Sequence, residues 1–176
     1  MPRQTLKDVF VHLLSDVYSA EKQLTKALPK MARAATNPAL AEVFTTHLEE
    51  TRGQVERIDQ VVEMCHIKLK RMKCAAMEGL VEEGQEVIDE MDKGPVRDAA
   101  LIAAAQKVEH YEIASYGTLA ELAKQLGHAD AKAVLGETLE EEIGADQKLT
   151  KLAEGGINDS AKDPAKDAAQ DPAGKA

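Results

Sequence analysis

Residues 101–126, LIAAAQKVEHYEIASYGTLAELAKQL, decide how this chain folds. Alanine and leucine dominate the stretch and Gly127 closes it. Such a composition favours helix, and a glycine just past the last turn ends one. Ile102, Ala105, Glu109, Glu112, Tyr116 and Leu119 follow one another at steps of three and four, so they share one face. Two glutamates therefore interrupt a stripe that is otherwise built for a core.

Such a face needs partners, and the flanking sequence supplies them. Gly94 and Pro95 open this helix, which runs from about Val96. After Gly127, Val134, Leu135, Leu139, Leu149 and Leu152 predict a helix over 129–153, stopped by Gly155 and Gly156. Toward the N-terminus, Thr5 with Asp8 reads as a capping arrangement ahead of Val9, Leu13, Val17, Leu24 and Leu28. Pro29 is expected to kink or end that helix. Asn37 and Pro38 start another, carried by Leu40, Val43, Phe44, Leu48, Val55, Ile58 and Val61 to about Met64. A shorter connecting helix is expected between Cys74 and Met91, weakened by Gly79 and Gly84.

Four long helices, with a fifth and shorter one inside the second-to-third connection, make an all-α chain. The expected architecture is a ferritin-like four-helix bundle with a long crossover. No stretch alternates with the period of a strand. Residues 1–155 form the predicted bundle, and 156–176, with one large apolar residue and a repeated Asp-Pro-Ala, the predicted disordered tail.

Composition narrows the function. With 31 acidic and 22 basic side chains among 176 residues, the net charge is −9, which repels nucleic acid. No run reaches the roughly 20 apolar residues of a membrane span, and residues 1–10 lack a signal-peptide core. A cytoplasmic protein that binds neither nucleic acid nor membrane is expected. Cys65 and Cys74, nine residues apart, do not make a paired metal or redox motif and read as free thiols.

Glutamates recur on the inner faces of all four long helices. Glu21 stands between Val17 and Leu24 in the first. In the second, Leu40, Phe44, His47, Glu50 and Gln54 continue one stripe toward Ile58. Glu109 and Glu112 occupy the third. In the fourth, Val134, Thr138, Glu141, Ala145 and Leu149 share a face that Glu142 borders, which makes Glu141 the better candidate. A buried, unpaired charge costs several kcal/mol, and basic partners are scarce on these faces. Carboxylates with an occasional imidazole suit iron, manganese or a related divalent ion. The competing reading leaves these glutamates solvated at the stripe edges; coincidence on four helices argues against it. His110 is expected to point away, and Tyr18, Tyr111 and Tyr116 to be core aromatics.

The strings LSDVYSAEKQLTKALPKMARAA, HLEETRGQVERID and AAQKVEHYEIASYGTLAELA, followed by TLEEE, closely resemble the bacterial YciE/YciF family of ferritin-like stress proteins, nearer its YciF branch. The likeness covers residues 3 to about 153. It implies a ferritin-like bundle, a dinuclear metal site and a homodimer. Rubrerythrin-like proteins are similar in placing Glu-x-x-Glu on the third long helix, here Glu109 and Glu112. Glu21, Glu50 and Glu141 are then the remaining carboxylate ligands. The chain departs from that pattern where histidines are expected: Gly53 stands three residues after Glu50 and Gly144 three after Glu141. His47 and Gln54, one turn to either side of Glu50, are the side chains able to compensate. Two functions are carried forward. One is a stress-related protein with two iron ions, or manganese, open to peroxide or dioxygen; the other is a non-enzymatic structural or interaction protein with a vestigial site.

Overall fold

The structure, a computed structural model, describes residues 4–162. Helix α1 spans Leu6–Ala34, α2 Pro38–Met64, α3 Ala75–Glu90, α4 Pro95–Gln125 and α5 Ala129–Leu152. A π-helical turn, Ala153–Ile157, leads into α6, Asn158–Lys162. No strand occurs among the described residues, and none of their helices is long and apolar enough to cross a membrane.

The predicted starts are realised by their caps. Thr5 and Asp8 form a capping box, and the Asn37 side chain accepts from the amides of Ala39 and Leu40 ahead of α2. Between α4 and α5, Gly127 lies at φ 80°. The His128 amide reaches back to the Ala123 carbonyl and that of Gly127 to Lys124, a Schellman motif that needs a left-handed residue. His66 takes the same place after α2, at φ 50°, with Ile67 donating to Val62.

Short connections make α1–α2 and α4–α5 antiparallel pairs. These pairs close into the bundle through α2 against α5 and α1 against α4, and α3 lies over α1 and α4. The crossover preceding α3 is fastened along one stripe of α1. Ser15 Oγ accepts from the Lys70 amide, Ser19 Oγ from the Cys74 amide, and Gln23 donates to the Cys74 carbonyl. Three side chains spaced four apart thus satisfy a backbone that has no ladder of its own.

Two expectations require correction. Pro29 does not end α1, which continues to Ala34. Its ring removes the amide that would donate to Thr25, but Leu28, Met31 and Ala34 are buried around it, and their packing outweighs one lost bond. The chain also does not lose structure at Gly156. Ile157, the one large apolar residue of that segment, is buried in the core, and α6 follows. Residues 163–176 of the predicted tail lie outside the described residues.

The apolar core falls into two clusters. Leu24, Leu28, Leu40, Phe44, Leu101, Ile102 and Leu149 belong to one, and Phe10, Leu14, Val17, Ile58, Tyr116, Leu119 and Leu135 to the other. On each long helix a polar residue stands where the first gives way to the second.

Asp98, buried in the first turn of α4, accepts from the amides of Thr36 (2.8 Å) and Asn37 (2.7 Å) in the α1–α2 turn. Asp98→Ala should therefore cost about 2–4 kcal/mol by orphaning both amides. Asp98→Asn, which keeps one acceptor, should cost clearly less. Urea unfolding followed by circular dichroism reads the difference; equal stability of all three proteins would contradict this role.

Candidate metal centre

The polar layer is assembled by helical spacing alone. Glu21 on α1 stands four residues after Val17 and three before Leu24. On α2, His47, Thr51 and Gln54 advance by four and three; on α4, Glu109, Glu112 and Tyr116 by three and four; on α5, Thr138 and Glu142 by four. All of these side chains are buried. His47, Glu109, Glu112 and Glu142 each bring one ligand atom to within 4.8 Å of the others.

Seven atoms of this layer are buried without a hydrogen-bond partner: Glu21 Oε2, His47 Nε2, Gln54 Oε1, Glu109 Oε2, both oxygens of Glu112 and Glu142 Oε2. Each such atom costs roughly 1–3 kcal/mol, and native cores hold few of them. Their convergence in one layer is what a cation would relieve. The donors are hard carboxylate oxygens, one amide oxygen and one imidazole nitrogen, a set that fits iron or manganese.

The layer is held from outside by a rim of hydrogen bonds. His47 Nδ1 meets Glu50 Oε2 at 3.3 Å, and Lys148 Nζ meets Glu50 Oε1 at 3.4 Å. A carboxylate on one ring nitrogen orients the other, so Nε2 faces Glu109 Oε1 and Glu142 Oε2, at 3.5 and 3.7 Å. The Thr51 hydroxyl donates to the His47 carbonyl at 2.7 Å. Tyr116 donates to Glu21 Oε1, which leaves Oε2 for the layer. Arg57 grips Glu141 with two bonds, and Gln54 Nε2 donates to both Glu141 and Glu142.

Electrostatics report the same crowding. Burial, followed by the charge of Glu142, pushes the Glu21 carboxyl up to about 8, and burial also raises Glu109 and Glu112 well above the usual carboxylate range. For His47, burial opposes the charged form. The Glu109 carboxylate and the hydrogen bond that His47 donates to Glu50 overcome it and hold the imidazolium up to about 10. Without a cation, the layer sheds charge by keeping protons.

Of the residues picked from sequence, Glu21, Glu109, Glu112, His47, Gln54 and Glu142 come together. Glu50 is half-buried at the rim, facing His47 and Lys148. Glu141 is turned away: its side chain is 27% exposed and paired with Arg57, whereas that of Glu142 is 0% exposed. The preference for Glu141 over Glu142 is therefore reversed. Its source is a one-residue error in the stripe: Leu135 is buried and Val134 only partly so, and from Leu135 the steps of three and four run through Thr138, Glu142, Ala145 and Leu149. Arg57, on the facing helix, was the signal that Glu141 had a partner elsewhere. The glycine argument shifts as well, because the residue three after the inward Glu142 is Ala145, not Gly144. It still brings no ligand. His110 is exposed, with Nε2 3.4 Å from Asp146 Oδ1.

Glu21 and His47 both titrate above their ordinary ranges, so the stability they contribute is present in acid and lost as pH rises, through about 8 for Glu21 and about 10 for His47. Metal-stripped protein should therefore lose several degrees of Tm between pH 6 and pH 9, and added Mn2+ should recover most of the loss at pH 9. Scanning calorimetry checks this; a flat profile would contradict the buried charge layer.

The comparisons with known proteins agree with this architecture. The family described as a domain of unknown function, DUF892, matches residues 5–162. Protein YciF of Escherichia coli K12 is 64% identical over 166 residues, which are 94% of this chain and 100% of YciF. The crystal structure of the E. coli stress protein YciF superposes with a TM-score of 0.86 at 66% identity, covering 89% of this chain and 99% of that one. YcfI of Rhodopseudomonas palustris gives 0.80 at 48% identity over 84% and 94%. A protein of Xanthomonas campestris gives 0.74 at 21% identity over 92% and 99%, which speaks for the fold alone. By its sequence and by its ferritin-like helical fold, this chain belongs to the DUF892 family, that of YciF.

Proposed function

We propose that the chain is a stress-related protein whose bundle holds two divalent metal ions, iron first and manganese second, in the carboxylate layer. The observation that carries this reading is the convergence of seven unpartnered buried polar atoms from four helices. Glu21, Glu109, Glu112, Glu142 and His47 would hold the ions, with Gln54 beside them. The stress role rests on the likeness to the E. coli stress protein YciF.

A bound redox-active pair would exchange electrons with a small oxidant such as peroxide or dioxygen. The chain's own part is positional. Tyr116 fixes Glu21, Glu50 fixes the His47 ring, and Gln54 fixes Glu142. Glu112 differs in that its nearest charged neighbours are the other carboxyls of the layer, Glu142, Glu21 and Glu109. Action as a cytoplasmic homodimer belongs to the same proposal.

A second reading, a structural or interaction protein with a vestigial site, is favoured by Ala145 and Gly53, which stand where ligating histidines would be expected. It agrees with the provisional designation of YcfI as a structural protein. Turnover separates the two: peroxide consumption or ferrous oxidation by metal-loaded protein would exclude a purely structural role.

Protein purified without chelators and reconstituted with ferrous or manganous ion should bind about two ions per chain. Glu112→Ala combined with Glu142→Ala should bind fewer than one, and Glu141→Ala close to the parental number. Elemental analysis by mass spectrometry reads all three. Substoichiometric metal in the reconstituted parent, or equal loss in the Glu141→Ala protein, would contradict the assignment.

A further inference from the structure

Gln54 is a neutral side chain of the layer that is aligned by two carboxylates. It is completely buried. Its Nε2 donates to Glu142 and, at 3.1 Å, to Glu141 Oε2, while its Oε1 has no partner. Those two carboxylates fix the sense of the amide, because rotating it by half a turn would set a carbonyl oxygen against both. Oε1 is thereby held as a neutral oxygen donor beside Glu142, one of the four residues that converge on a common point.

The charge count gives this neutrality a consequence. Glu50 is compensated at the rim by Lys148 and Glu141 by Arg57. With cations bound in place of the protons, that leaves Glu21, Glu109, Glu112 and Glu142 inside, four negative charges with neutral His47 and Gln54. Two divalent ions balance them from the protein alone, whereas two trivalent ions leave an excess positive charge that an anion from solvent, such as hydroxide, has to offset. Glutamate at position 54 would be nearly the same size and would tip the count by one charge.

We propose that Gln54 is a specificity-determining residue that tunes the layer to divalent rather than trivalent ions, by placing an uncharged oxygen where a carboxylate would otherwise fit. The inference rests on the metal-site reading above. It concerns which charge state the site prefers, so it can fail while that reading stands.

The test compares binding of Mn2+ and Tb3+ to the metal-stripped full chain by titration calorimetry at pH 7, for the parent, Gln54→Glu and Gln54→Met. The Gln54→Glu protein should shift the ratio of Tb3+ to Mn2+ affinity toward Tb3+ by at least about tenfold, the direction set by one added charge at contact distance. Gln54→Met, which removes the donor without adding charge, should weaken both ions by a similar factor. An unchanged ratio in Gln54→Glu, or equal loss of both ions, would confine Gln54 to its hydrogen bonds and overturn the proposal. Should Gln54→Glu fail to fold, undiminished affinity in Gln54→Met would overturn it equally. A parent that binds neither ion would overturn the metal site itself, and this inference with it.

Discussion

Four carboxyl groups buried side by side in the middle of an apolar bundle are the constraint on which the rest of this structure depends. In water such groups repel weakly; inside a core both their desolvation and their mutual repulsion grow severalfold. Glu21, Glu109, Glu112 and Glu142 survive there only as neutral acids, beside an imidazolium, or around a cation. The protons that burial keeps on Glu21, Glu109 and Glu112, and the one that Glu109 and Glu50 hold on His47 against burial, describe the first two states. A cation is the third, and the orphaned oxygens and the bare His47 Nε2 are what it would engage.

The remaining structure makes that layer rigid. Each inward group stands on a helix rather than a loop, and three of them have a neighbour that fixes their orientation: Tyr116 for Glu21, Glu50 for His47, Gln54 for Glu142. The two apolar clusters above and below hold the helices at fixed register. Even the crossover contributes, since its attachment to Ser15, Ser19 and Gln23 ties the α2–α3 connection to the helix that carries Glu21. Asp98 ties the α1–α2 turn to α4, which carries Glu109 and Glu112.

Much of this was legible before any coordinates. Five helices, their caps at Thr5, Asn37 and Gly127, and the inward placement of Glu21, Glu109 and Glu112 follow from period and punctuation, which are local properties. What was not legible depends on neighbours from other helices. Glu141 and Glu142 are adjacent on a helix face, and a periodic argument separates them only if the stripe is anchored on the correct residue; Arg57, 84 positions away from Glu141, makes the choice. Glu50 reads as fully inward from α2 alone but lies at the rim, against His47 and Lys148 of α5. The continuation of α1 past Pro29 and the burial of Ile157 were not legible for the same reason, because packing against distant residues decides whether the chain there stays ordered.

The most direct test of the central claim is anomalous diffraction from a crystal of the full chain grown with Mn2+ and no chelator. Two manganese peaks are expected inside the layer, coordinated by Glu21, Glu109, Glu112, Glu142 and His47, with Glu141 still on Arg57. A layer without an anomalous peak, its carboxyls hydrogen-bonded to one another and to an imidazolium, would contradict it.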